Sequence, residues 1–282
     1  MRELTRAYRQ VFRRENNMKF ENKDIFIAGG GSGIGLALAG RFLAKGSRVT
    51  VFDRTLDQTR LQPLLDRAGD RLRTVKLDVT DEKRVVSEFK KQAGRSSPDL
   101  IVNSVGVVSA VDFMNLGLEE FDRVVRVNLF GSRNVALAAG TILQPGSRLA
   151  LVASLAGIVG SYGYAAYASS KFAVVGLAQV LRMEWKPRGI GVSVICPPEV
   201  ETPMVDYERS IRPAVVGALK AFAGTLTVDE AVMGIMSGLE REKFLIIPGF
   251  RAKFTHLLSS YLADSLQHRI ADGIVKKALQ GR

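Results

Sequence analysis

Seven short apolar runs, most of them rich in β-branched residues, recur along the chain at intervals long enough for a helix. They are IFIAG from Ile25, SRVTVFD from Ser47, RLRTVKLDV from Arg71, DLIVNSVG from Asp99, RLALVAS from Arg148, GVSVICP from Gly191 and KFLIIPG from Lys243. A strand covered on both faces reads as a continuous apolar run rather than an alternation, and parallel neighbours need a long, usually helical crossover between them. The spacing therefore predicts an α/β fold, a single domain built on a doubly wound parallel sheet of about seven strands, with ligands at the carboxyl ends of the strands. With 282 residues, 46% of them hydrophobic, the chain can fill such a core. Three parts are expected: a basic amino-terminal extension over 1–23, the α/β domain over 24–249, and an amphipathic helical extension over 250–282. A segment punctuated by Pro and Gly, from Pro198 to Gly224, interrupts the last strand–helix–strand unit.

The first run passes directly into AGGGSGIGLALAGRF, where Gly29, Gly33 and Gly35 frame a turn that opens into a helix. Glycines there let backbone approach a pyrophosphate, and the free N–H groups at the helix start favour its charge. Strand before, helix after and an acid downstream raise this above a chance glycine pattern and predict a Rossmann-type dinucleotide site. The acid is Asp53, which can accept both hydroxyls of an adenosine ribose and would repel a 2′-phosphate; Arg54 beside it could pair with that phosphate instead. The balance leans to NAD over NADP. Asp78, closing the third run, has two readings, an adenine contact or an acid at a helix start.

Tyr167 and Lys171 in YASSK lie four residues apart, on one helical face. An ammonium near a phenol stabilises phenolate, so the expectation is a Tyr167 pKa lowered toward neutrality. Ser154 ends the run RLALVAS, thirteen residues ahead of Tyr167, at the sheet edge that carries the glycine turn. A phenol so placed can exchange a proton with a carbinol oxygen while a nicotinamide exchanges hydride with its carbon, and Ser154 can hydrogen-bond the same oxygen.

At these residues the chain resembles the short-chain dehydrogenase/reductase family from about residue 23 to 250. The resemblance implies a catalytic set of Asn128, Ser154, Tyr167 and Lys171, with Asn128 holding a water and Lys171 also gripping the nicotinamide ribose. It implies cofactor contacts at Gly29, Ser32, Gly33, Ile34, Gly35, Asp53, Arg54, Asp78, Val79, Asn103, Tyr167, Lys171, Pro197 and Thr202. Two positions depart from the family pattern: Val105 replaces an alanine in VNSVG, and Pro198 stands where glycine is usual in CPPEVETPM. The double proline and YASSKFAVVGLAQVLRMEWKP look like the 3-ketodihydrosphingosine reductase branch, which implies a long-chain keto sphingoid base as substrate, and NADPH, against the lean that Asp53 gives. A catalytically silent dinucleotide-binding regulator is the competing reading, and intact Ser154, Tyr167 and Lys171 count against it.

The net charge of +12 is dispersed, with enrichments at the two ends, and no aromatic-basic or zinc-finger spacing points to nucleic acid. One cysteine, Cys196, excludes an intrachain disulfide. His256 and His268 have no partners at metal-ligand spacing, so no metal is expected. Apolar runs break before the roughly 18 residues of a spanning helix, and the basic amino end lacks the apolar centre of a secretory signal, with Met18 a second start. A cytoplasmic protein follows as the expectation, and the family resemblance implies a homo-oligomer. Phe250, Phe254, Leu257, Leu258, Tyr261 and Leu262 recur at helical spacing amid basic residues, a stripe to be covered by a second subunit or by a peripheral membrane contact.

Overall fold

The computed structural model of the protein describes residues 18–94, 97–262 and 264–280, so most of the amino-terminal extension lies outside the described residues. Strands β1 (Asp24–Ala28), β2 (Arg48–Asp53), β3 (Leu72–Lys76), β4 (Leu100–Asn103), β5 (Arg148–Val152), β6 (Gly191–Ile195) and β9 (Leu245–Ile246) form one parallel sheet in the order 3-2-1-4-5-6-9. Each expected run supplies one of these strands. A two-stranded pair, β7 (Glu199–Val200) with β8 (Thr225–Leu226), brackets the interrupting segment.

Alternate side chains of each strand feed two separate cores. Ile25, Ile27, Val49, Val51, Leu100 and Val102 pack under α1 (Gly33–Ala44) and α9 (Val228–Glu240). Phe26, Phe52, Ile101, Leu149 and Leu151 face α3 (Glu82–Ala93), α5 (Gly131–Ile142) and α6 (Ala165–Trp185) on the other side. Phe26, Phe52 and Phe89 interlock there, with ring centroids 4.4–5.8 Å apart. The remaining helices are α2 (Gln58–Ala68), α4 (Leu118–Val125), α7 (Pro203–Ile211), α8 (Ala214–Ala223), α10 (Phe250–Tyr261) and α11 (Asp264–Gln280).

Register fixes where chemistry can occur. Ala28 pairs with Phe52 and Asn103, Asn103 with Leu151, and Val152 with Ile195, so the central strands end together and their loops share one edge. The order reverses between β1 and β4, and a cleft opens above that edge, where open α/β sheets bind ligands.

The carboxyl-terminal helices are not an appendage. Thr255, Leu258, Ser259 and Leu262 of the α10 region, with Ile270, Ala271 and Ile274 of α11, line the cleft, and α11 packs on α8. The expected single stripe divides: Leu258 and Leu262 turn inward, whereas Phe250, Phe254, Leu257 and Tyr261 are exposed on the opposite side of α10.

Candidate active site

The cleft holds about 600 Å³ and runs from the glycine turn, past the ends of β4 and β5, to the roof made by α10 and α11. At its first end Gly29 adopts φ +78°, and a Cβ there would lie 2.6 Å from the Val105 nitrogen. At Gly35 a Cβ would meet the Gly29 carbonyl oxygen at 2.0 Å, so helix α1 can start this close to the turn only on glycine. The first turn of α1 carries no acidic residue and Ser32 makes no side-chain cap, which leaves its N–H groups and positive dipole end to the cleft. Ser32, Gly33 and Ile34 line that end, with Asp53 and Arg54 beside them.

Asp53 is held before any ligand arrives. Its Oδ2 accepts from the Gly31 N–H at 2.9 Å and its Oδ1 from the Thr55 N–H at 3.1 Å, and each oxygen keeps acceptor capacity. Asp78 closes a local turn by accepting from the backbone N–H and hydroxyl of Thr80, at 2.9 and 2.8 Å. The helix-start acid is instead Asp81, which accepts from the Arg84 N–H at 3.0 Å. Asp78 and Val79 remain on the cleft wall. An anion-binding turn, a pre-set ribose acceptor and a wall continuing toward Lys171 together fit a dinucleotide.

Asn103 differs from expectation. Its amide donates to Ser132 Oγ at 2.9 Å and its oxygen accepts from the Val105 N–H at 3.3 Å, behind a wall formed by Ser104, Val105 and Gly106. It shapes the β4 loop rather than facing the cleft, as Gly35 does for the glycine turn.

Ser154, Tyr167 and Lys171 line the cleft together, with Pro197 beside the Ser154 turn, its carbonyl accepting from the Leu155 N–H at 2.8 Å, and Thr202 beside Gly33. Ser154 starts a short turn after β5 and accepts from the Ala156 N–H at 3.1 Å, which leaves its hydroxyl proton for another partner. Tyr167 sits in the first turn of α6, and Lys171 one turn on, its Nζ 5.7 Å from the Tyr167 ring centroid. Lys171 as a residue is 4% exposed, and its ammonium donates to the Val152 carbonyl at 3.1 Å, so the strand end orients it. A Cβ on Gly106 would stand 3.2 Å from Nζ; glycine keeps the space before the ammonium clear.

Electrostatics here reverse one expectation. Burial pushes the Tyr167 phenol up to about 12, the hydrogen bond with Ser154 draws it back only in part, and the Glu208 charge raises it further. Burial likewise lowers the Lys171 ammonium to about 8. Pairing on one helix face suggested a lowered phenol, but desolvation by burial dominates and carries it the other way. The phenol is therefore protonated at neutral pH, the state that can give a proton.

Asn128 lies in a π-helical turn, Arg126–Phe130, that bulges ahead of α5. Its Oδ1 accepts from the Val107 N–H at 2.8 Å, and its Nδ2 donates to the Val107 carbonyl and to Ser170 Oγ, both at 2.9 Å. The side chain is thus spent on protein, clamping the β4 loop to α6, and it is absent from the cleft wall.

Sequence reasoning missed a polar group on the cleft wall beside Tyr167, comprising Tyr164, Glu199, Glu208 and Lys220. The spacing of Glu208 and Arg212 marked at most a helical ion pair; nothing in it signalled that Glu208 is 1% exposed.

The sequence model described as short chain dehydrogenase matches residues 23–212. Among curated relatives, 3-dehydrosphinganine reductase TSC10A of Arabidopsis thaliana is 34% identical over 240 residues, covering 82% of this chain and 72% of its own. The 3-ketodihydrosphingosine reductase of Dictyostelium discoideum is 27% identical over 273 residues, covering 88% and 81%. A solved short chain dehydrogenase from Burkholderia cenocepacia, in complex with NADP, superposes with TM-score 0.75 at 22% identity, covering 89% of this chain and 98% of that one. One from Burkholderia phymatum, in complex with NAD, gives 0.73 at 22% identity, covering 86% and 94%; both share the fold. The chain belongs to the short-chain dehydrogenase/reductase family, as an NAD(P)-dependent oxidoreductase that works between a carbonyl and the corresponding alcohol.

Proposed function

We propose that this enzyme reduces the ketone of a long-chain keto sphingoid base, with Tyr167 as the proton donor. The observation that carries the reading is one continuous cleft. Ser154, Tyr167 and Lys171 stand at its centre, the glycine turn at one end and an apolar roof of Leu258, Leu262, Ile270 and Ile274 at the other. The relatives named for sphingoid ketone reduction support the substrate class. A nicotinamide cofactor, which the glycine turn, Asp53, Lys171 and Thr202 would hold, would supply hydride for the carbonyl carbon. The protonated Tyr167 gives its proton to the carbonyl oxygen, and the Ser154 hydroxyl, freed from Tyr167, hydrogen-bonds the same oxygen. Lys171 has two further protons beyond the one on Val152, for the ribose and for the phenolate left behind. Asn128 positions the Val107 loop. Reduction of a long-chain 2-amino-3-ketone by purified enzyme, followed by loss of reduced-nicotinamide absorbance, tests the reading; no turnover with that ketone would reject it.

Lys171 gives the reaction a pH signature. Its ammonium, lowered to about 8, is charged below that pH and neutral above it, so the countercharge for the forming phenolate is lost as pH rises. The kcat for reduction should fall through one ionisation near about pH 8, by about tenfold per pH unit on the alkaline limb. A profile flat from about pH 6 to about pH 10 would detach the Lys171 charge from the step.

For the cofactor, the pre-oriented Asp53 carboxylate favours NAD(H). Asp53→Ala deletes a ribose acceptor and a phosphate repulsion together, so NAD(H) should weaken by about tenfold or more while NADP(H) improves. Because Asp53 also holds the Gly31 and Thr55 N–H groups, Asp53→Asn is the milder companion, removing charge while keeping an acceptor. Fluorescence titration with both reduced cofactors measures the change, and a wild-type preference for NADP(H) would show that Arg54 prevails.

Two surfaces suit the expected assembly and membrane contact. Phe130, Leu137, Phe172, Val180 and Met183 are exposed on the outer faces of α5, α6 and the π-turn before them, a stripe that a second copy could cover. The outward stripe of α10, with Lys253 and nearby Arg269, suits an anionic lipid surface that stores a long-chain substrate, each basic side chain contributing about 1 kcal/mol. Among the described residues no helix is long and apolar enough to cross a membrane.

A further inference from the structure

Among the described residues two acids, Glu199 and Glu208, are buried, and both stand on the cleft wall. Glu208 comes from α7, Glu199 from β7 and Lys220 from α8, so the segment between β7 and β8 folds these charges inward. Tyr164, at the start of α6, donates its hydroxyl to Glu208 Oε1 at 2.7 Å. Lys220 Nζ bridges the acids, donating to Glu208 Oε2 and lying 2.8 Å from Glu199 Oε2. Arg212 lies 2.8 Å from Glu199 and 3.4 Å from Glu208, and Arg209 pairs with Glu199; neither arginine lines the cleft. The wall itself therefore presents two carboxylates and one ammonium.

An apolar wall of similar shape would hold these segments together without desolvating charge, so a buried ionic cluster facing a substrate cleft calls for a use. Its place suggests one. The Tyr164 and Tyr167 rings are 5.4 Å apart between centroids, so Glu208 stands one phenol away from the proton donor. On the sphingoid reading above, on which this inference rests, the carbon next to the ketone bears an amino group. With the ketone oxygen at Tyr167, that amine needs an anion close by.

We propose that Glu208, held by Tyr164, recognises a protonated amino group on the carbon adjacent to the ketone, and that Lys220 is the displaceable counter-ion filling this position until substrate enters. Lys220 suits the exchange. Its side chain is 20% exposed, its stem is flexible, and Glu199 remains as its partner after Glu208 is taken. The pairing makes the enzyme selective for amino ketones over ketones of the same length that lack the amine.

The test compares a long-chain 2-amino-3-ketone with the same ketone lacking the amine, using wild type, Glu208→Gln and Lys220→Met. Glutamine keeps an acceptor for Tyr164 and removes the charge. Glu208→Gln should lower kcat/KM for the amino ketone by about tenfold or more relative to the amine-free ketone, a ratio within one variant that does not depend on how much protein folds. Lys220→Met, by removing the competing ammonium, should lower KM for the amino ketone alone. Equal losses on both ketones in Glu208→Gln would reduce the cluster to a structural clip and overturn the inference while the sphingoid reading stands. A raised KM for the amino ketone in Lys220→Met would overturn the exchange. Wild type that turns over the amine-free ketone and not the amino ketone would overturn the sphingoid reading and the inference together.

Discussion

Tyr167→Phe should abolish ketone reduction while leaving the cofactor in place, with kcat down by about 10²- to 10⁴-fold and the dissociation constant of reduced cofactor within about twofold of wild type. Phenylalanine preserves the ring that packs beside Tyr164 and under Lys171, so shape and the ammonium position survive. What disappears is the phenol proton that Tyr167 gives to the substrate oxygen. Ser154 cannot replace it: its hydroxyl donates a hydrogen bond, but giving up its proton would create an alkoxide far less stable than phenolate. Lys171 does not replace it either: its Nζ, tied to the Val152 carbonyl and 5.7 Å from the Tyr167 ring centroid, stabilises the phenolate rather than reaching the substrate oxygen. Single-turnover decay of nicotinamide absorbance reads the chemical step, and fluorescence titration reads binding. Retention of more than about a tenth of wild-type kcat would place the acid elsewhere.

The mutation also tests what the sequence could not show. Spacing put Tyr167 and Lys171 on one face, and the structure places both there, one turn apart. The sign of the tyrosine shift is set by desolvation, with Ser154 and Glu208 as neighbours, and none of these is encoded in a four-residue interval. The same limit applies elsewhere. The seven strands were legible because burial on both faces demands continuous apolar runs, and the glycine turn because only glycine tolerates the approach seen at Gly29 and Gly35. Asn103 and Asn128 were legible as residues but not as orientations: both turn their amides into the protein, where Ser132, Val105, Val107 and Ser170 take up their hydrogen bonds. Glu208 was invisible because three elements distant in sequence create its burial. The carboxyl-terminal stripe was legible as helical spacing, yet Leu258 and Leu262 turn to the cleft while Phe250, Phe254, Leu257 and Tyr261 face outward, and a period does not name the partner that covers a face.

That partner makes the second large effect. Ending the chain after Leu262 should convert a long-chain reductase into one nearly indifferent to chain length. The truncation removes Ile270, Ala271 and Ile274 from the cleft, and α11 from α8, while sparing Leu258 and the Arg251 hydrogen bond to the Ala221 carbonyl, 2.8 Å, that ties α10 to the end of α8. Each methylene of substrate taken out of water contributes about 0.8 kcal/mol, so uncovering three of them costs about 2.4 kcal/mol, or about 50-fold in kcat/KM. A short ketone reaches Tyr167 without touching the roof and should lose far less. The informative quantity is therefore the slope of log kcat/KM against chain length, which a general loss of folded protein cannot alter. Leu258→Trp and Ile274→Trp supply the complementary arm, since they fill the apolar end without uncovering α8 and should penalise long ketones selectively. If the truncated enzyme kept the wild-type slope, α11 would be a cover for α8 alone, and the long-chain substrate would have to be bound along some other wall of the cleft.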